Sequence, residues 1–179
     1  MAGHTEFNRE KFEELIVYIA RRLGPEAALG RVKLAKLLMH SDFTAYARTG
    51  RSITGATYEK WEHGHLAAEQ TEVEKDLEAA GVIAVEDEDY FGKTLRRITA
   101  HRDPDLSTFT DEEIAIVEGA LRLYGHESAT YLSALAHGEP GWALAQMREE
   151  IPYFAGLIGR ERPPEYVFED FRTLHGLSA

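Results

Sequence analysis

The sequence predicts a mainly α fold: a winged-helix-like helical domain with one small β-hairpin and further helices towards the C-terminus. Two observations carry this. Apolar residues recur at helical spacing through most of the first 80 residues, apart from 52–61, and the patterning turns extended after Gly81 and helical again at Thr110. A chain of 179 residues, 44% of them hydrophobic, has enough material for a single core. The expected organisation is one helical domain over 1–150, with its hairpin near 82–99, and a helical arm over 151–179 packed on the same domain.

Asn8 is a good N-cap, and Phe7 and Phe12 fall at the two positions of a hydrophobic staple. Phe12, Leu15, Ile16, Ile19 and Leu23 then follow at helical spacing, and Gly24-Pro25 stops the run. Gly30 precedes a second helix, roughly 31–49, with Leu34, Leu37, Leu38 and Ala45 inward and Gly50 as its terminator. Residues 52–61 favour extended chain, interrupted at Gly55. His63-Gly64-His65 is expected to turn the chain into a third helix, about 66–80. Val82 to Val85 then reads as a short strand, Glu86 to Asp89 as a charged turn, and 94–100 as the returning strand. Thr110 and Glu113 form a capping box for a helix bearing Ile114, Val117 and Leu121. A helix at about 128–136 follows, and another is expected over 142–150. The tail offers Pro163-Pro164 and an amphipathic piece with Tyr166, Phe168, Phe171 and Leu174.

Composition narrows the function. Without cysteine there is no disulfide framework, no thiolate metal site and no cysteine nucleophile. The first ten residues are polar and no run is apolar enough to cross a bilayer, so a cytoplasmic location is expected. The formal net charge is -11, the wrong sign for a surface that displaces counterions from phosphates. The acids concentrate where a DNA-binding winged helix would approach the duplex: Glu69, Glu72, Glu74, Asp76 and Glu78 on the third helix, and Glu86 to Asp89 on the wing. Lys93, Arg96, Arg97, His101 and Arg102 form a counter-cluster suited to cross-strand pairing.

Chemistry-bearing motifs are sparse. The glycines stand singly at helix ends, and neither a phosphate-binding loop nor a serine nucleophile elbow is present. In an extended segment His63 and His65 point to one side, a possible start to a zinc site. A catalytic zinc takes three protein ligands and a structural one four, and no partner pair completes the set. No catalytic residue, metal or cofactor is therefore expected. Tyr58, Trp61, His63 and His65 mix aromatic and polar groups in a loop-rich stretch suited to a binding face. With Glu72, Asp76 and Glu86 they form the candidate surface for a protein partner. The competing readings are a winged-helix transcription regulator, supported by topology and opposed by charge, and a histidine-dependent metalloenzyme resting on His63 and His65.

A family resemblance bears on this choice. Lys33-Leu34-Ala35-Lys36-Leu37-Leu38 leads through Asp42-Phe43 to Tyr46, then to Gly50-Arg51-Ser52-Ile53-Thr54-Gly55, Tyr58 and Gly64. Leu132-Ser133-Ala134-Leu135-Ala136-His137 and Trp142 follow downstream. In order and spacing these resemble the Panacea domain of SocA-like antitoxins. His65-Leu66 stands where that family usually has Pro-Val, Met39 where Tyr is common, and Ala136 where Thr precedes the histidine. The resemblance implies a non-enzymatic partner for a cognate protein toxin of a type II toxin–antitoxin system. Such a partner is expected to neutralise the toxin by direct binding or, as in the SocA branch, to hand it to a AAA+ protease. Neither membrane nor nucleic acid is expected as a partner.

Overall fold

The computed structural model describes residues 6–158. Six helices and two antiparallel two-stranded ribbons follow one another as α1 (Arg9–Leu23), α2 (Arg31–Thr49), β1 (Tyr58–Trp61), β2 (Gly64–Ala67), α3 (Gln70–Ala79), β3 (Ile83–Tyr90), β4 (Lys93–Ala100), α4 (Asp111–Tyr124), α5 (Ala129–His137) and α6 (Pro140–Leu144). The mainly α class stands as expected. The order of helices followed by a hairpin also stands, with a second ribbon, β1–β2, inserted before α3.

Local chemistry sets the helix ends. The Asn8 side chain accepts from the Lys11 amide, and the Phe7 and Phe12 rings meet edge-on at 5.6 Å, so the staple and the cap both form. Gly50 closes α2 in the left-handed conformation at φ 77°, its N–H returning to the Tyr46 carbonyl. Both halves of the Thr110–Glu113 capping box are made at the start of α4.

The core is built around α2. Its twelve buried residues, Lys33 to Tyr46, leave little of it facing water, which is the mark of a helix surrounded on every side. α1, α4, α5 and the ribbons pack on it. Phe12, Leu15, Ile16 and Ile19 of α1 are fully buried, each contributing on the order of 1.5–3 kcal/mol on removal from water. Glu14 is buried beside them and accepts from both terminal nitrogens of the Arg102 guanidinium, at 2.8 and 2.5 Å, and from the Asp105 amide at 2.7 Å. That ties the loop after β4 to α1. Arg102 holds the Glu14 carboxyl below its ordinary range, outweighing burial.

Three expectations change. α3 begins at Gln70 rather than near residue 66, because Gly64 to Ala67 pair with β1. The acids Glu86 to Asp89 lie within β3 and not in a turn. The strand continues to Tyr90 because Arg96 and Arg97 on β4 supply counter-charge: Arg96 meets Asp87 at 3.5 Å and Arg97 pairs with Glu88. The helix expected over 142–150 ends at Leu144, since Arg148 to Ile151 instead run alongside β1. There the Arg148 amide donates to the Lys60 carbonyl at 2.8 Å, Lys60 N–H to Glu149 at 3.0 Å, and Ile151 N–H to Tyr58 at 2.7 Å. Beyond it, a 3-10 turn at Tyr153–Leu157 packs on α2, with Leu157 against Tyr46. The expected tail elements at Pro163-Pro164 and Tyr166 to Leu174 lie outside the described residues.

Candidate functional site

The candidate residues of the 52–66 stretch fall on and around β1–β2, and α2 positions them. Asp42 is fully buried in α2 and accepts four hydrogen bonds from the chain that leads into β1. They come from the Ile53 amide at 2.8 Å, the Thr54 amide at 2.8 Å, the Thr54 hydroxyl at 2.5 Å and the Tyr58 hydroxyl at 2.8 Å. Burial pushes the Asp42 carboxyl up to about 6, and the four donors hold it from rising further. Tyr58, 1% exposed, titrates well above its ordinary value because of burial and the Asp42 charge. Its ring, with Tyr153, lies against Phe43.

Six residues earlier on α2, Lys36 is buried and donates its ammonium to the His65 carbonyl at 2.9 Å. Burial lowers its pKa to about 8, with Glu139 opposing. Gly64 permits this approach. Its φ is 109°, and a Cβ there would collide with the Lys36 ammonium and sit 2.8 Å from the Ala136 Cβ.

The turn between the strands, Glu62-His63, is held from the other side. Trp142 donates its indole N–H to the Trp61 carbonyl at 3.0 Å, and His137 Nε2 lies 2.9 Å from the Glu62 carbonyl. A carbonyl only accepts, so His137 carries its proton on Nε2. The His137 and Trp142 rings stack at 4.1 Å, and the Lys60 ammonium sits 4.1 Å from the Trp142 ring.

The candidate residues divide by depth. Trp61 is half-buried, with the Arg148 guanidinium 4.9 Å from its ring, and His63 is exposed in the turn. Both border a cleft of about 590 Å3 that also takes in Arg31 and Lys36. Tyr58 and His65 lie beneath this surface, each 1% exposed. The expectation that His63 and His65 share one side does not hold: the chain reverses at His63, leaving one imidazole outside and the other inside. Burial, with Lys36 and His40 nearby, lowers the His65 pKa to about 3, so its ring is neutral and its 3.8 Å approach to Glu139 is not an ion pair. Among the described residues, no group of three or more His, Asp or Glu is placed to hold a metal ion. Glu72 and Asp76 lie exposed on α3, where Arg9 reaches both, and Glu86 is exposed on β3 opposite Arg97. They lie on other elements than the β1–β2 turn.

Asp42, Lys36, Gly64, His137 and Trp142, which the sequence pattern places far apart, thus converge on one ribbon. The family model for the antitoxin SocA-like Panacea domain matches residues 34–143. This chain belongs to that family. No curated protein and no solved structure matched the chain. The matched span of the Panacea domain runs from the core of α2 to α6 and contains both ribbons. Among the described residues no helix is long and apolar enough to cross a membrane.

Proposed function

We propose that this Panacea domain is the antitoxin of a two-gene module, acting in the cytoplasm by direct binding of a cognate protein toxin rather than by catalysis. The observation that carries the reading is where its signature residues go. Asp42, Lys36, Gly64, His137 and Trp142 spend their polar groups and close contacts within the domain itself, most of them on the backbone around the β1–β2 ribbon. Groups committed in this way hold a shape and are not poised to turn over a substrate. A fixed interior also leaves the outer surface free to differ between domains that meet different toxins. Trp61 and His63 on the β1–β2 turn and Glu72, Asp76 and Glu86 on the acidic face are the proposed contact residues, with Tyr58 and His65 supporting them from below. A DNA-binding regulator is disfavoured because α3 and β3, the elements that would face phosphates, are rich in carboxylates.

Co-purification with the product of the adjacent gene, alongside a growth-rescue assay, tests this. The wild-type chain is expected to bind that product and restore growth. Trp61→Ala and His63→Ala should weaken rescue without loss of fold. Rescue that also needs a AAA+ protease and lowers toxin abundance would shift the reading from steric neutralisation to delivery. Absence of binding and of rescue would sink the antitoxin reading.

A further inference from the structure

The β3–β4 ribbon ends in a feature that its own fold does not reward. Tyr90 pairs with Lys93, leaving Phe91-Gly92 as a two-residue turn with φ of 52° and 76°. Both values are positive, as in the tight hairpin turn that favours Asn-Gly. A bulky aromatic residue is a poor occupant of the left-handed region. Phe91 is nevertheless there, and it is 90% exposed. The neighbouring Tyr90 is 43% exposed and meets it edge-on at 4.8 Å, so the two rings form one apolar knob. The ribbon's root is anchored by the buried Ile83 and Ile98, and the Ile98 amide donates to Leu29 at 2.8 Å. The knob is thus held out on a fixed arm. Beneath it runs a groove of about 460 Å3 lined by Tyr90, Phe91, Leu95, Ala28 and Ala129.

The surroundings define the partner. α3 packs on β3, and the two carry eight carboxylates, four on each, against the single Lys75. Arg9, Arg31, Arg96 and Arg97 answer some of them and Lys93 stands opposite Tyr90 at the tip, but the whole chain stays at a formal -11. An aromatic knob beside an acidic shoulder fits an apolar socket rimmed by lysine and arginine.

We propose that the Tyr90–Phe91 tip of the β3–β4 ribbon is the anchor by which this domain grips a basic protein partner, its aromatic knob entering an apolar socket. The assignment rests on the antitoxin reading and names a surface apart from the β1–β2 turn. The tip reads a protein and not a nucleic-acid groove, because the acids flanking it would repel phosphates while they attract a basic rim.

Phe91→Asn tests it cleanly, since asparagine suits the turn and removes only the aromatic ring. The full chain and its variants are titrated with the product of the adjacent gene. Phe91→Asn is expected to melt at or above the wild-type temperature and to lose at least about 30-fold in affinity. Tyr90→Thr should lose less, and raised salt should slow association of the wild type. Wild-type binding with undiminished Phe91→Asn affinity overturns the tip assignment and leaves the antitoxin reading standing. Failure of the wild type to bind at all removes both. A salt-independent association rate overturns the basic partner. Concentration-dependent self-association that Phe91→Asn abolishes would make a second copy of the chain the occupant and overturn it too.

Discussion

The two ribbons of this Panacea domain have the same local design and opposite surroundings. Each is a two-stranded antiparallel hairpin with a two-residue turn. β1–β2 is enclosed: Arg148 to Ile151 pair with the outer edge of β1, Asp42 and Lys36 hold it from beneath, and His137 and Trp142 hold its turn. β3–β4 is enclosed only at its root, and its outer half is exposed. An isolated two-stranded hairpin is marginal in water, so each ribbon needs support. The first receives it along its whole length and the second at one end. The difference teaches that a hairpin's role follows from where its hydrogen bonds and side chains are spent. The inner ribbon spends them on the fold, and the outer one holds them out to solvent.

The largest test of this contrast is Asp42→Ala. It strips the acceptor from the Ile53 and Thr54 amides and from the Tyr58 hydroxyl, all buried. Each stranded donor costs about 1–3 kcal/mol, so a loss of at least about 3 kcal/mol is expected in urea denaturation. Asp89→Ala removes the matching acceptor at the outer turn, the one that takes the Gly92 amide at 3.1 Å in full exposure. Water replaces that bond, and the expected loss is under about 1 kcal/mol. Comparable losses at the two sites would break the comparison.

Glycine gives a second paired test of smaller size. Gly64 has φ 109° and no room for a Cβ, whereas Gly92 has φ 76° and nothing within 4 Å of where a Cβ would lie. Gly92→Ala should cost only the backbone penalty, about 1 kcal/mol. Gly64→Ala adds displacement of Lys36 and of the α5 contact at Ala136, and should cost about 2–4 kcal/mol. Thermal melts of both variants check the order, and a Gly92→Ala loss as large as that of Gly64→Ala would contradict it.

The inner ribbon was also the harder of the two to read from sequence. Helix caps, the staple and the capping box depend on residues three to five apart, and Asn8, Gly50, Thr110 and Glu113 stand where their chemistry required. The outer hairpin showed itself by Val82 to Val85 and Thr94 to Ala100, although its acidic length was underestimated because carboxylates disfavour strands until cross-strand arginines meet them. β1–β2 depends on a backbone partner some ninety residues later, at 148–151, and on anchors in α2 and α5. No local window contains those, and the same pairing overrode the helical pattern of 142–150. Trp61 and His63 were legible as surface candidates, but the inward turn of His65 was not, because strand alternation fails where the chain reverses. The outer tip did leave a signal: an aromatic residue before glycine, between two strands, where a polar residue would be the easier choice.

The smallest effect at neutral pH, and the one that separates charge from shape in the inner ribbon, is expected for Lys36→Met. Burial brings the folded-state pKa of Lys36 down from 10.5 to about 8. The unfolded chain keeps that proton until the ordinary lysine value, so between about pH 8 and 10.5 it binds more protons than the folded chain. Stability must then rise with pH across this window. The rise is at most about 3 kcal/mol, the size of that difference in proton affinity. The charged ammonium is thus a burden at neutral pH, offset by its bond to the His65 carbonyl. Methionine keeps most of the side-chain volume and gives up both the burden and the bond, so Lys36→Met should lie within about 1 kcal/mol of wild type near neutrality. It should also lack the part of the alkaline rise that Lys36 supplies, keeping the part from Lys33, whose pKa burial also lowers. Urea midpoints for both proteins at about pH 7.5 and about 9.5 settle the matter. A wild-type midpoint that climbs no more than that of Lys36→Met would show that the ammonium is well solvated where it stands. A large loss in Lys36→Met at neutral pH would show instead that the bond to His65 outweighs the burial, making Lys36 an anchor of the ribbon comparable to Asp42.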